Sequence, residues 1–222
     1  MTVMKKMIIL MLLFWAVGAT GQIRDEGELG WTQSDLEESR VTVNLITDKD
    51  EPDFIRIQGA PGTDPCYIST NKIKEFKKYL DKLIKEAEKL DQEANDNMSD
   101  NDSKEMDIPS PDVLLIWQGK MFYNDEKEFR KKVPLKAEWI FYRSEEVPAG
   151  TFVTITAEAA DPTDPMEVCK FKMWVTIDEL KFLQDKILVK KDIDRFVIYY
   201  RNKDRLHYNN VQNKMKSMQR GL

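Results

Sequence analysis

The sequence predicts an α+β fold with two similar units, each made of antiparallel strands covered by one amphipathic helix. Three observations predict it: alternating apolar residues in both halves of the chain, an apolar stripe in a helix-like segment of each half, and an acidic polar segment between them. A period of two residues is typical of half-buried strands, and a period of three to four residues is typical of amphipathic helices. We expect residues 22–94 to form the first unit, residues 95–111 a flexible linker and residues 112–190 the second unit.

Residues 1–21 have the three parts of a secretory signal peptide. Lys5 and Lys6 are basic, residues 7–17 are apolar, and the small residues among 19–21 predict cleavage before Gln22. The apolar run is shorter than the about 20 residues that span a bilayer. An uncleaved anchor is the alternative. No second apolar run follows, so we expect a secreted or periplasmic protein with no membrane span after cleavage.

The charge and the cysteines limit the classes of partner. The formal net charge is −5, and it becomes −7 without Lys5 and Lys6. Binding to phosphate groups depends on clustered cations, so this acidity disfavours nucleic acid and anionic membrane surfaces. Cys66 and Cys169 each follow a Thr-Asp-Pro turn, so a disulfide between them is possible if the two units face each other. The alternative is two buried thiols.

The first unit contains strands followed by a helix. Residues 41–45 and 54–57 alternate in polarity around a turn-rich connection, which predicts a hairpin. Residues 67–69 form a further short strand. The helix after it carries one apolar stripe, formed by Ile73, Phe76, Leu80, Leu83, Ala87 and Leu90.

The second unit repeats this order. Residues 113–117 predict a buried strand, residues 136–142 and 151–157 a hairpin, and residues 170–175 a third strand. Residues 152–155 match 54–57, and the helix positions Leu180, Leu183 and Ile187 follow Thr176 at the same offsets at which Ile73, Phe76 and Leu80 follow Ser69. We interpret this as internal duplication, with convergent patterning as the alternative. Thr176 and Glu179 predict a capping box at the start of the second helix.

Two segments lie outside these units. Residues 95–111 are rich in Asp, Asn and Ser and bury too little apolar surface to offset the entropy lost on ordering, which predicts the flexible linker. Residues 191–222 form a C-terminal extension. Within it, residues 196–200 have the composition of a strand, and the basic end from 202 onward suggests a frayed helix.

No catalytic residue, metal site or cofactor is predicted. His207, the single histidine, lies in the polar C-terminal extension, where it lacks the orienting partner that a nucleophilic triad needs. Carboxylates alone can hydrolyse glycosides, so a secreted carboxylate-dependent hydrolase is an alternative. Glu138 and Glu158 lie on or beside predicted strands, but alternation places them on a solvated face.

The candidate functional surface is the side of the strands that faces away from the helices. Alternation places Phe54, Arg56, Phe152 and Trp174 on this side, and it places Tyr142 on one face of its strand. Aromatic patches of this kind mark contacts. Either the two units pack these faces on each other, or the surface binds an unknown protein or ligand. The second interpretation predicts a non-catalytic binding protein.

The unit of strands followed by a helix, used twice, is similar in outline to the sheets of the Whirly and transcriptional-coactivator type, which bind single-stranded nucleic acid. The similarity covers the order of elements and the entry into each helix, Ile68-Ser69 before Ile73 and Val175-Thr176 before Leu180. The acidic charge and the export signal argue against that function here, and the chain is not assigned to that family.

Overall fold

The computed structural model describes residues 23–33, 38–46, 53–97, 102–120, 126–142, 150–162, 164 and 166–220. The predicted signal peptide and its cleavage site lie outside these residues. The described residues form two antiparallel sheets and three α-helices, which confirms the α+β fold. The strands are β1 (Ile23–Gln33), β2 (Glu38–Ile46), β3 (Phe54–Gln58), β4 (Cys66–Ser69), β5 (Asp102–Met106), β6 (Val113–Lys120), β7 (Glu126–Val133), β8 (Lys136–Tyr142), β9 (Gly150–Ala160) and β10 (Val168–Val175).

The larger sheet has six strands in the order β1-β2-β3-β4-β6-β7. The predicted hairpin between residues 41–45 and 54–57 is confirmed, since Val43 lies opposite Ile55 in β3. The predicted buried strand at residues 113–117 is the start of β6, where Leu115 lies opposite Cys66 of β4. This sheet therefore combines strands from both predicted units.

The smaller sheet has four strands in the order β10-β9-β8-β5. It confirms the predicted hairpin of β8 and β9 and the third strand, β10. Its edge strand β5 differs from the expectation, because residues 102–106 belong to the segment predicted as a linker. Backbone pairing with β8 supplies the order that their polar side chains do not, and Met106 anchors the strand by burial opposite Ala137.

The order of three strands and a helix occurs twice, as β2-β3-β4 and β8-β9-β10, each followed by a helix. This recurrence agrees with two similar units, while internal duplication stays a hypothesis. The two predicted units do not form separate sheets, however. β6 and β7 lie within residues 112–190 yet complete the sheet that β1 to β4 begin.

The helices are α1 (Ile73–Asn97), α2 (Ile177–Phe182) and α3 (Lys190–Arg220). A 3-10 turn (Thr70–Lys72) precedes α1, and a π-helical turn (Leu183–Ile187) continues α2. The predicted capping box is present at α2. The Glu179 amide donates to Thr176 Oγ1 at 3.2 Å, and the Thr176 amide donates to Glu179 Oε2 at 2.7 Å.

The C-terminal extension forms α3, and the prediction of a strand at residues 196–200 is wrong. Exposure in this segment follows a helical period, because Ile193 is buried and Val197 packs against the core whereas Ile198 and Tyr199 are exposed. Tertiary contacts thus override the strand propensity of these residues. The Arg201 guanidinium also ties α3 to the start of β3 by binding both carboxylate oxygens of Asp53, at 2.6 and 3.1 Å.

The inward faces of both sheets and the apolar sides of the helices share one core. This confirms the inward orientation predicted for β3, β9 and β10, and α1 contacts both β4 and β8. Trp139 of β8 is fully buried in it. The helix positions in the core include the whole predicted stripe of α1 and also Leu180, Leu183 and Ile187.

The turn between β3 and β4 of the larger sheet covers β10, an edge strand of the smaller sheet. Ala60 donates its amide to the Lys172 carbonyl at 2.7 Å, and Asp64 donates to the Lys170 carbonyl at 2.8 Å. Gly59 permits this approach, because a β-carbon there would collide with the Lys172 carbonyl oxygen. At the tip, Gly62 has a φ of +78°, which suits the third position of a type II turn. The turn thereby covers the edge of β10, which would otherwise be open.

Of the helices in the described ranges, none is long and apolar enough to cross a membrane.

Candidate functional site

The five residues predicted as an interaction surface lie on two different sheets. Phe54 and Arg56 belong to β3 of the six-stranded sheet, whereas Tyr142, Phe152 and Trp174 belong to β8, β9 and β10 of the four-stranded sheet. The structure therefore does not bring all five together. Each sheet has its own outer face, and the two faces have different properties.

On the six-stranded sheet, Phe54 is a packing residue. It is only 7 % exposed and forms a small cluster with Leu114, against which Tyr67 and Ile116 pack. The Phe54 and Tyr67 rings meet edge to face, with 6.4 Å between their centroids. The described members of this cluster lie on β3, β4 and β6 of one sheet, so Phe54 packs beside residues of the second predicted unit within that sheet. Arg56 Nη2 donates to Gln58 Oε1 at 2.8 Å on the same strand.

On the four-stranded sheet, four side chains form a row across the strands. Glu105, Glu138, Thr154 and Trp174 lie directly opposite one another on β5, β8, β9 and β10. We call these four residues the polar row. Directly opposite residues on one face of a sheet have β-carbons about 4.5–5.5 Å apart, so their side chains are in contact range.

Trp174 ends the polar row and is half-buried. Lys172 Nζ lies 4.2 Å from the centre of its ring, in a cation–π contact. The indole Nε1 is shielded from solvent and has no hydrogen-bond partner in the part of the chain that the structure describes. A buried indole N–H ordinarily has one.

Thr154, the neighbour of Trp174 in the row, shows the same feature. It is 4 % exposed although it lies on the outer side of the sheet, and its hydroxyl has no hydrogen-bond partner among the described residues. An unsatisfied buried polar group costs about 1–3 kcal/mol. Such exceptions are few in native proteins and call for a physical explanation. Here two of them lie on directly opposite residues, Thr154 and Trp174.

Aromatic residues lie beside the polar row. Phe152 is half-buried and lies opposite Ile140, two residues before Thr154 on β9. Tyr142 is 40 % exposed at the end of β8, opposite Gly150. This face thus offers a hydroxyl, an indole N–H and an ammonium group next to apolar surface. Sequence reasoning identified Tyr142, Phe152 and Trp174 but did not single out Thr154, because alternation assigns a threonine to a face without showing how deeply its neighbours enclose it.

The carboxylates near this face differ in their surroundings. Glu138 is half-buried and Glu105 is exposed. Glu158, the other carboxylate considered from the sequence, is exposed and forms an ion pair with Lys170 at 2.7 Å. Within the described ranges, no three His, Cys, Asp or Glu side chains converge on a possible metal site.

The cysteines and the histidine lie apart from this face. Cys66 and Cys169 are buried, and both are free thiols, so the disulfide that the sequence permitted is not formed in this structure. Burial raises the pKa of the Cys66 thiol, and burial together with the nearby Asp64 carboxylate raises the pKa of the Cys169 thiol. His207 is exposed on α3.

Comparison of the chain with protein-family models, with curated proteins and with solved structures finds no match.

Proposed function

We propose that this chain is an exported, non-catalytic binding protein whose ligand contacts the outer face of the four-stranded sheet. The observation that carries the proposal is the pair of unsatisfied polar atoms, Thr154 Oγ1 and Trp174 Nε1, on directly opposite residues. A ligand atom that hydrogen-bonds to both, once the side chains that shield them move aside, would remove the penalty of leaving them unpaired. Phe54, by contrast, is occupied in packing within its own sheet.

The chemistry of this face suggests the kind of ligand. The indole N–H can only donate, and the threonine hydroxyl can donate or accept, so an acceptor oxygen suits both. Lys172 adds a positive charge beside the indole ring. Phe152 adds apolar area, as in binding sites where a few polar groups orient a ligand on an apolar surface. We therefore expect a polar ligand or protein segment with a carbonyl, carboxylate or hydroxyl oxygen.

The expectation of export depends on residues 1–21 alone. If the signal peptide is cleaved where the small residues indicate, mass spectrometry of protein recovered from the growth medium or the periplasm finds a chain that starts at Gln22. A recovered chain that still carries Met1 would contradict export by this route.

Two substitutions test the face itself. Thr154→Val removes the unsatisfied hydroxyl with little change in shape, and Trp174→Phe removes the indole N–H while keeping an aromatic ring. Because a buried unpaired group is lost, we expect Thr154→Val to raise the free energy of unfolding by about 1 kcal/mol. Thr156→Val is the matched control, since Thr156 lies two residues along β9 on the same face.

Binding is measured by screening the wild-type protein against glycan and peptide panels in a thermal-shift assay and titrating the hits on each variant. The proposal predicts hits that bind Thr154→Val and Trp174→Phe about tenfold more weakly or worse, which is the loss of one good hydrogen bond, and that bind Thr156→Val as they bind wild type. Phe54→Ser is expected to lower stability and leave the affinity for such a ligand unchanged. Hits that bind all variants equally would place the ligand elsewhere.

The second candidate is a carboxylate-dependent hydrolase, and one observation favours it. Glu105 and Glu138 lie directly opposite each other, as two cooperating carboxylates would. The exposure of Glu105 weighs against it, because a carboxylic acid that protonates a leaving group works from a buried site. Assays with chromogenic glycosides distinguish the two candidates. If wild type hydrolyses a glycoside and a folded Glu138→Gln variant does not, the hydrolase replaces the binding protein as the proposed function.

A further inference from the structure

A shallow cationic groove lies at the starts of α1 and α3 and runs along α3. One part of it, about 430 Å³ in volume, is lined by Lys74, Lys77 and Lys78 of α1 and by Lys190 of α3. A second part, about 730 Å³, continues from Lys190 along α3 past Lys191 and Arg195 to Ile198 and Tyr199. We call the six basic residues the cationic groove.

The groove has few counter-charges of its own. Among the residues that the structure describes, Asp81 and Asp194 are the carboxylates that line it. Asp81 pairs with Lys85 at 2.8 Å, and this hydrogen bond raises the pKa of Lys85. Asp194 pairs with Lys190 at 2.8 Å. The six cations and two carboxylates make the groove lining formally +4, although the whole chain is −5, so the remaining residues carry −9.

Apart from the i,i+4 pair of Lys190 with Asp194, helix stability does not explain these cations. Lys74 lies in the first turn of α1, and Lys190 and Lys191 lie in the first turn of α3. A cation at a helix N-terminus interacts unfavourably with the helix macrodipole, and this turn is where carboxylates stabilise a helix. Like charges around one groove also repel each other. Their concentration here therefore points to an external anion.

One wall of the groove is fixed to the turn that precedes α3. Gln184 of the π-helical turn donates through Nε2 to the Lys77 carbonyl at 2.9 Å, which fixes this turn against α1. Lys181 of α2 also binds Glu88 of α1 at 2.9 Å. These contacts hold α1 against α2 and against the π-helical turn that leads into α3, and they leave Lys74, Lys78, Lys190 and Lys191 exposed.

We propose that the cationic groove binds a linear anionic polysaccharide. The elongated, open site and its positive charge complement such a ligand. A chain with a charge on each repeating unit can follow the cations along it. Single-stranded nucleic acid is held by a series of aromatic stacking platforms, and among the described residues Tyr199 is the one aromatic that lines the groove.

This site is separate from the proposed ligand face of the four-stranded sheet, so the two proposals fail independently. The probe is heparin, a linear sulfated polysaccharide, labelled and titrated with the full-length mature chain by fluorescence anisotropy at several salt concentrations. The test variant is Lys74→Gln/Lys78→Gln/Lys191→Gln. The matched control is Lys104→Gln/Lys131→Gln/Lys132→Gln, which removes the same charge from exposed lysines on β5 and β7.

The proposal predicts that the groove variant binds heparin roughly tenfold or more weakly, with a flatter salt dependence because fewer counterions are displaced, while the control variant stays within about twofold of wild type. Neutral dextran should not bind. Equal losses in both variants would mean that overall charge alone governs binding, and no binding of heparin at about 0.15 M salt would overturn the proposal. Binding of single-stranded DNA as tightly as heparin would overturn the choice of a polysaccharide.

Discussion

Asp91 shows how a single side chain joins three elements. Its carboxylate accepts hydrogen bonds from Trp139 Nε1 at 2.7 Å and from Thr151 Oγ1 at 2.9 Å, so it connects α1 to β8 and β9. Trp139 is fully buried, and its indole N–H has no access to water if this acceptor is lost. Asp91 lies just before the segment predicted as an acidic linker, yet it is part of a helix and acts as a structural acceptor.

We expect Asp91→Ala to lower the free energy of unfolding by about 2–4 kcal/mol, because it leaves two donors unpaired, one of them deep in the core. Asp91→Asn keeps one acceptor oxygen and should cost clearly less. Urea denaturation of the three proteins measures the difference. An Asp91→Ala protein as stable as wild type would show that water or another acceptor reaches Trp139.

The two glycines of the β3–β4 turn offer a matched pair. Gly59→Ala places a β-carbon against the Lys172 carbonyl oxygen and must displace the turn from β10. Gly62→Ala meets open space and costs only the strain of a positive φ, about 1–2 kcal/mol. We therefore expect Gly59→Ala to be the more destabilising by thermal melting, and the reverse order would contradict the docking of this turn.

At the residue scale, the sequence predicts which side of a strand a residue takes but not how it is enclosed. Alternation correctly placed Ile55, Val153 and Val175 toward the core. It could not show that Phe54 packs within its own sheet or that the Thr154 hydroxyl is unpaired. Both depend on neighbours brought together by strand pairing, which leaves no local trace in the chain.

Among the elements, the helix caps give the sharpest comparison. Thr176 has the reciprocal Glu179 of a capping box, whereas Ser69 accepts only from the Asn71 amide, at 3.3 Å. Lys72 occupies the position where a glutamate would complete the second box. The start of α2 should therefore depend more on its cap than the start of α1.

Thr176→Ala is expected to cost about 1 kcal/mol, as loss of an N-cap does, and Ser69→Ala clearly less. Chemical denaturation of both variants beside wild type resolves the difference. Equal costs would mean that the contact between Glu179 and the Thr176 backbone adds nothing to the cap of α2.

Elements with a strong period were predictable, and elements without one were not. The helix stripe of α1, the hairpin of β8 and β9, and β10 were found because buried positions recur regularly. β5 and β7 consist mostly of charged residues and are strands because a partner strand supplies their backbone hydrogen bonds. The helical form of residues 196–200 likewise depends on contacts of α3 with the rest of the protein.

For the whole molecule, the buried ionisable groups predict sensitivity to alkali. Burial raises the pKa of Cys66, Cys169 and Tyr79 above the values of the unfolded chain. In the folded state these groups stay neutral while their unfolded counterparts ionise. Their contribution to stability is therefore complete below the unfolded pKa, near pH 9 for the thiols, and is lost as the pH rises above it.

We expect the free energy of unfolding to fall by about 2–4 kcal/mol between pH 8 and pH 10.5, with a limiting slope of about 1.4 kcal/mol per pH unit for each thiol. Cys66→Ala should flatten this slope, even though it lowers stability at pH 7. Alkylation of the unfolded, unreduced protein should label two thiols. The same pH dependence of the free energy of unfolding in wild type and Cys66→Ala, or the absence of labelling, would contradict two free buried cysteines.

The position of β6 beside β4 also bears on how the chain folds as it is synthesised. After β4 has left the ribosome, one of its edges stays unpaired until α1, β5 and then β6 have been made. A nascent chain that ends before residue 113 therefore presents an open strand edge, the kind of surface that chaperones cover and that aggregates form on. The six-stranded sheet should reach its native form only after β6 and β7 have been made, so chains truncated before residue 113 should be recovered as aggregates.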